Sequence, residues 1–239
     1  MAFVHGKKTA VFYNGANLSA YFNEASASQD VETAETTAFG DDAKTYIAGL
    51  KDGTLSAAGM FDGSEGAIDA TLSAVIGAEA ADVITVCPEG ATAGLATYSA
   101  GARETSYEIS SPVADVVAAN LEVQATDGID RGVLLAALSS VSASATPSAI
   151  NNGASTANGG VGYLHVTANT RDGASTFKVQ DSADNVTFAD LVTFTNVSAS
   201  ATSGQRVAIT GSVDQYVRAE VVPGGSSGSV TYTMAFARK

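Results

Sequence analysis

At 239 residues the chain can bury a sizeable core and form one or two domains. Its 45% hydrophobic and 15% charged content excludes a disordered polypeptide, and its single cysteine, Cys87, excludes a disulfide framework or a cysteine-based metal cluster. A formal net charge of −13 argues against a nucleic-acid-binding surface, because phosphates require cationic partners. It does not argue against nucleic acid passing nearby, since a wall of like sign repels DNA and prevents sticking. The charge is unevenly placed: residues 1–150 hold 6 Lys+Arg and 19 Asp+Glu, whereas residues 151–239 hold 6 of each. Trp is absent and aromatics are 7%, which suits closely packed strands better than a deep aromatic ligand pocket.

The N-terminus lacks the apolar core of a signal peptide, and no apolar run reaches membrane-spanning length. The expectation is a protein made in a cytoplasm, with no membrane insertion. Residues 9–13 (TAVFY) predict a first strand closed by Asn14-Gly15, a tight-turn signal. Residues 18–22 predict a second strand. Residues 27–34 alternate, with Ser28, Asp30, Glu32 and Ala34 in one phase and Gln29, Val31 and Thr33 in the other. An acidic loop follows over 35–43, then strands over 44–50 and 53–59 about a Lys51-Asp52-Gly53 turn. Residues 63–76 predict a helix with Asp62 as N-cap, Glu65 at N3, a stripe of Ile68, Leu72, Val75 and Ile76, and Gly77 as the stop.

Residues 81–87 read as a buried strand containing Cys87, and residues 95–100 and 103–109 as a pair with Gly101 near the turn. In the latter, Glu104, Ser106 and Glu108 alternate with Thr105, Tyr107 and Ile109, which predicts one wet and one packed face. Residues 113–125 look mainly extended, with a short helix permitted at the start, and residues 133–138 close a first domain. Residues 141–160, rich in Ser, Ala, Asn and Gly, predict a flexible linker between a domain over 1–140 and one over 161–239. Short strands at 162–168, 175–180, 188–196, 205–209, 216–222 and 229–237 predict an all-β sandwich, Ig-like or jelly-roll-like.

Chemical motifs are scarce. His5 and His165 have no partners at metal-ligand spacing. Gly6-Lys7-Lys8-Thr9 lacks the first glycine and the strand of a phosphate loop, and reads as a basic arm. Asp41-Asp42 and Asp181 with Asp184 lack a dense calcium-loop pattern. With no nucleophile elbow and no framed carboxylate pair, the expectation is a non-enzyme without cofactor or metal.

A resemblance enters at residues 17–40 (NLSAYFNEASASQDVETAETTAFG) and 44–63 (KTYIAGLKDGTLSAAGMFDG). Together they resemble the N-terminal part of the tail tube, or major tail, proteins of long-tailed bacteriophages. ETTAFG (35–40) and GLKDGT (49–54) are the most specific pieces, and the likeness extends over 9–138, more loosely from Cys87 onward. It implies a mainly β fold with a tail-tube-like barrel or sandwich and one flanking helix. It also implies a virion protein, assembled in the host cytoplasm, that polymerises as stacked rings, typically of six, around a lumen for DNA ejection. Its implied partners are further copies of itself, the tape-measure protein and the tail terminator or tip proteins. DNA would pass without specific binding. Segments 216–220 and 228–238 resemble accessory β-domains of phage structural proteins, implying weak host-surface contact. In this frame Asp30, Glu32, Glu104 and Glu108 would face the lumen, although alternation alone fits an ordinary solvated face as well. Lys7, Lys8, Glu35, Phe39, Asp41, Asp42 and Lys44 would make contacts between rings. The other readings are a capsid decoration protein and a β-module binding carbohydrate or a cell surface.

Overall fold

The structure, a computed structural model, describes residues 4–80 and 82–239. It is built from antiparallel strands: β1 (Ala10–Tyr13), β2 (Ala16–Asn17), β3 (Phe22–Glu35), β4 (Tyr46–Met60), β5 (Asp82–Cys87), β6 (Ala96–Ser110), β7 (Ala118–Ala125) and β8 (Asp130–Val141) in the first part. The second part holds β9 (Ile150–Asn151), β10 (Gly160–Asn169), β11 (Thr176–Ser182), β12 (Ala189–Thr193), β13 (Ser203–Ile209), β14 (Tyr216–Val222) and β15 (Val230–Arg238). One short helix, α1 (Ile68–Leu72), lies between β4 and β5. It is too short to cross a membrane.

An 11-stranded sheet runs β13-β10-β15-β8-β6-β5-β1-β2, with β7, β4 and β3 branching from β6. A second, 4-stranded sheet runs β12-β11-β14-β9. The branch arises because β6 is long enough to serve two sets of partners. Its first half pairs with β5 and β8, and its second half, from Ala102, pairs with β7. β8 is shared in the same way: Asp130 to Val133 pair with β6, and Val133 to Val141 pair with β15. The large sheet therefore passes from the first part of the chain into the second without a break. Segment 141–160, where composition predicts a linker, carries β9 and single bridges from Ala145 to Val221, Thr156 to Val213 and Asn158 to Gly211.

Three apolar clusters fill the layers. Leu164, Phe177, Val179, Val217, Tyr232 and Met234 pack between the two sheets of the second part, giving the expected sandwich. Leu55, Leu121 and Val123 pack beneath α1, through Ile68 and Leu72, one helical turn apart. Between these lies a third cluster, in which Phe12, Val83 and Cys87 meet Leu134, Val161, Tyr163 and Ala235. The large sheet curls around it until Gly204 abuts the backbone of Asn14, but the described strands form no closed barrel.

Several local expectations change. Asn14 and Gly15 both take positive φ, as a tight hairpin turn needs. Residues 18–22 form a turn that leads into β3. Lys51-Asp52-Gly53 is not a turn: Lys51 pairs with Val31, Asp52 with Asp30 and Gly53 with Gln29 inside one continuous β4. The glycine there answers a packing need, since a Cβ on Gly53 would sit 3.0 Å from Ile129. Gly101 likewise lies within β6, not at a turn. The helix is shorter than expected because Gly66 takes φ of +75° and Asp62 closes a local turn with the Ser64 amide instead of capping α1. Of the expected stripe, Ile68 and Leu72 are buried and Val75 packs against them, while Ile76 is exposed.

Candidate assembly surface

The strands β3, β4, β7 and β6 form a wing whose inner face carries Leu55, Ala57, Leu121 and Val123 over the core. Strand alternation sends the intervening residues outward, and the register lines them up in rows. Glu24, Ala58, Asn120 and Glu108 share one row. Ser26, Ser56, Glu122 and Ser106 share the next, and Ser28, Thr54, Gln124 and Arg103 the third. Asp30 and Asp52 pair beyond these rows. The outer face is thus mostly polar and acidic, with a shallow depression of about 240 Å³ lined by Glu24, Ser56, Ser106, Glu108 and Glu122. Hydroxyls bond across it, as between Ser26 and Ser56 at 2.8 Å.

Of the four acidic residues expected on one wall, this face brings together Asp30 and Glu108. Glu32 lies further out, at the register irregularity between Val31 and Thr33. Glu104 is elsewhere: a bulge between Glu104 and Ser106 interrupts the expected alternation, so Glu104 turns inward while Glu108 points out. Glu104 is only 7% exposed. The Tyr13 hydroxyl lies 3.1 Å from Glu104 Oε2 and 2.6 Å from Asp82 Oδ2, and Asn14 Nδ2 donates to Asp82 Oδ1. Glu104 Oε1 has no hydrogen-bond partner among the described residues. A phenol has one proton to give, so it cannot donate to both carboxylates at once. Burial, reinforced by the Asp82 charge, raises the Glu104 carboxyl to about 7, against the lowering effect of the Tyr13 hydrogen bond. Burial and the same carboxylates push the Tyr13 phenol well above its ordinary range.

Sequence reasoning missed Glu24, Asp52 and Glu122 on the outer face. Glu24 was accessible to it, since it sits in phase with Asp30 along β3. Asp52 was hidden by the false turn, and Glu122 by the ambiguous reading of 113–125.

Beyond Gly53 the wing narrows to two strands, because β7 pairs with β4 only from Thr54 to Met60. β3 and β4 continue as an arm, roughly 20 Å of ladder at the usual rise per residue, ending in the 36–45 loop. Every residue from 26 to 52 is exposed. The arm nevertheless carries large apolar side chains, among them Phe39 (112% exposed), Leu50 (77%), Ile47 and Tyr46. Of the residues expected to join rings, Glu35 and Lys44 form an ion pair at 3.0 Å near the arm's end. Asp41 accepts the Ala38 amide at 2.8 Å within the loop, and Asp42 is exposed there. Lys7 and Lys8 lie in a 3₁₀ turn (Gly6–Lys8) at the opposite end of the wing, beside the start of β3.

Among the described residues both lateral edges of the wing lack a partner strand: β3 pairs with β4 alone, and β6 pairs with β5 as far as Ala102, beyond which Arg103 donates to the Ala78 carbonyl and 104–110 have no strand on that side. Three antiparallel steps separate β3 from β6, so the two edge strands run in opposite directions.

No family model matches the sequence, and no curated protein matches it. Solved structures similar to it include a chain from the virion of a native gene transfer agent particle, with 13% identity and a TM-score of 0.45 over 54% of this chain and 98% of that one. A chain from the tail of an empty gene transfer agent particle, refined with C6 symmetry, is 13% identical with a TM-score of 0.39 over 46% and 80%. The SPP1 Dit protein, described as a hub adsorption apparatus protein of phages infecting Gram-positive bacteria, is 14% identical with a TM-score of 0.37 over 96% and 99%.

Proposed function

We propose that the protein is a structural subunit of a phage-type tail that polymerises as stacked rings into a tube, with no enzymatic role. The observation that carries this reading is the pair of open, oppositely directed edges on the wing. Set beside the β6 edge of a neighbouring copy, β3 continues an antiparallel ladder, and the same step repeated around an axis closes a ring. Exposed edges of this length are otherwise a hazard that folded proteins cover. The sequence resemblance at 35–40 and 49–54 falls on the arm and its loop, and implies rings of six.

In such a ring the acidic outer face of the wing lines the lumen. Asp30, Glu108, Glu24 and Glu122 then set a negative wall that repels DNA phosphates and leaves the passing strand unbound. The two-stranded arm, too thin to be stable by itself, reaches along the axis to the next ring, where its exposed Phe39, Ile47 and Leu50 are covered. The second part of the chain, near neutral, lies at the outer surface and makes weak host contacts. The tape-measure and terminator or tip proteins of the same virion fill the lumen and close the ends.

Negative-stain electron microscopy of the purified protein over a concentration series tests this. Hollow rings or tubes with a central channel are the expected result. A monodisperse monomer at every concentration, in high and low salt alike, would tell against the reading.

A further inference from the structure

We propose that the groove at the foot of β3 is the socket for the 111–117 loop of the neighbouring copy, a contact that rests on the ring reading above. The groove has a volume of about 560 Å³ and lies between the open edge of β3 and the N-terminal segment. Phe22, Ala25 and Val11 give it an apolar floor, and His5 and Lys7 stand on its rim together with Glu24. Lys8 flanks the adjoining depression with Glu89. Neither lysine forms a salt bridge among the described residues, and they are the one Lys-Lys pair in a chain of net charge −13.

The occupant follows from strand direction. If β3 of one copy pairs antiparallel with β6 of the next, the N-terminal end of β3 lies beside the C-terminal end of β6, at Ser110. The next segment of that neighbour is the 111–117 loop. It is held at its far end by the Phe61 amide, which donates to the Val117 carbonyl at 3.0 Å. Between these anchors it presents Val113, 108% exposed, and Val116, 61% exposed, with the exposed carboxylate of Asp115 between them. Two valines match the apolar floor, and burying them supplies the attraction. On a rim that also carries Glu24, Asp115 set against Lys7, with Lys8 in the adjoining depression, fixes which way the loop enters.

Two experiments on the full chain test the contact. Lys7→Cys combined with Val113→Cys should form intermolecular disulfides on mild oxidation, since Cys87 is fully buried and does not compete. The products should run as a ladder ending at the closed ring. Separately, Asp115→Lys should raise the concentration needed for ring formation about tenfold, and adding Lys7→Glu and Lys8→Glu to it should restore assembly. Wild-type rings with an unaffected Asp115→Lys variant and no cross-link would overturn this contact and leave the ring reading standing. Cross-linking that stops at a dimer would also overturn it, because a two-fold contact cannot propagate around a ring. A wild-type protein that forms no rings removes both.

Discussion

Glu104 shares a single phenolic proton donor with Asp82, and its second oxygen is buried without a partner among the described residues. The cost of ionising it in that place has a direction that can be measured. Its folded value, about 7, lies above its ordinary 4.5, so the folded state favours the protonated form. The stabilisation is fully present below about 4.5 and is lost as pH rises through about 7. The buried neutral His165 acts with the opposite sign, adding stability as pH rises toward its ordinary 6.5, so the Glu104 contribution is read as a difference between two proteins. Urea unfolding midpoints of wild type should fall relative to those of Glu104→Gln between about pH 5 and pH 8, and an equal pH profile in both proteins would refute the assignment. His165 illustrates the opposite case at the same scale. It is wholly buried, its Nδ1 accepts the Gly15 amide at 3.3 Å, and its Nε2 lies 3.0 Å from the Thr85 hydroxyl. Burial holds it near 3, so it stays neutral throughout the range in which Glu104 titrates. Neither environment was legible in the sequence. Alternation placed Glu104 on a wet face because one extra residue at a bulge leaves no mark in the hydrophobic pattern.

At the scale of elements, the arm lies outside the folded core, and in the proposed tube it would serve assembly alone. Its residues from 26 to 52 contribute nothing to the apolar clusters. Replacing 36–45 by an Asn-Gly turn that joins Glu35 to its ladder partner Tyr46 should leave the unfolding free energy within about 0.5 kcal/mol of wild type. The same change should leave rings that no longer stack into tubes. Tubes of ordinary length in electron micrographs would show that the arm does not join rings. The existence and order of most strands could be read from apolar runs and turn residues, down to the hairpin turn at Asn14-Gly15. What failed were inferences from glycine. Gly53 and Gly101 look like turn signals but lie within strands, where a side chain would press on Ile129 or on the stem of Arg206. Such contacts join residues far apart in sequence, so no local window reveals them. The helix failed for a related reason: its stripe and cap were present, but Gly66 divided the segment before a full helix could form.

At the scale of the whole molecule, the change in composition across 141–160 suggests two units, while the hydrogen-bond ladder crosses between them on β8. Asp130 reinforces that crossing: Tyr163 donates to it at 2.6 Å, Arg206 lies 3.9 Å away, and Lys239 bonds its other oxygen. A protease cut engineered between Gly153 and Ala154, at an exposed loop, should thus leave two pieces that co-elute on a sizing column without denaturant. Separation of the pieces in native buffer would mean that the units are held mainly by the chain between them. The two-sided pairing of β8 has a mechanical consequence. A sideways load on the second unit is borne along the strand, where many hydrogen bonds must shear together, and not at a hinge where they could peel open one by one. In the tube proposed above, each subunit would therefore transmit torque to its second unit as a stiff lever, and the assembly would resist twisting at every ring.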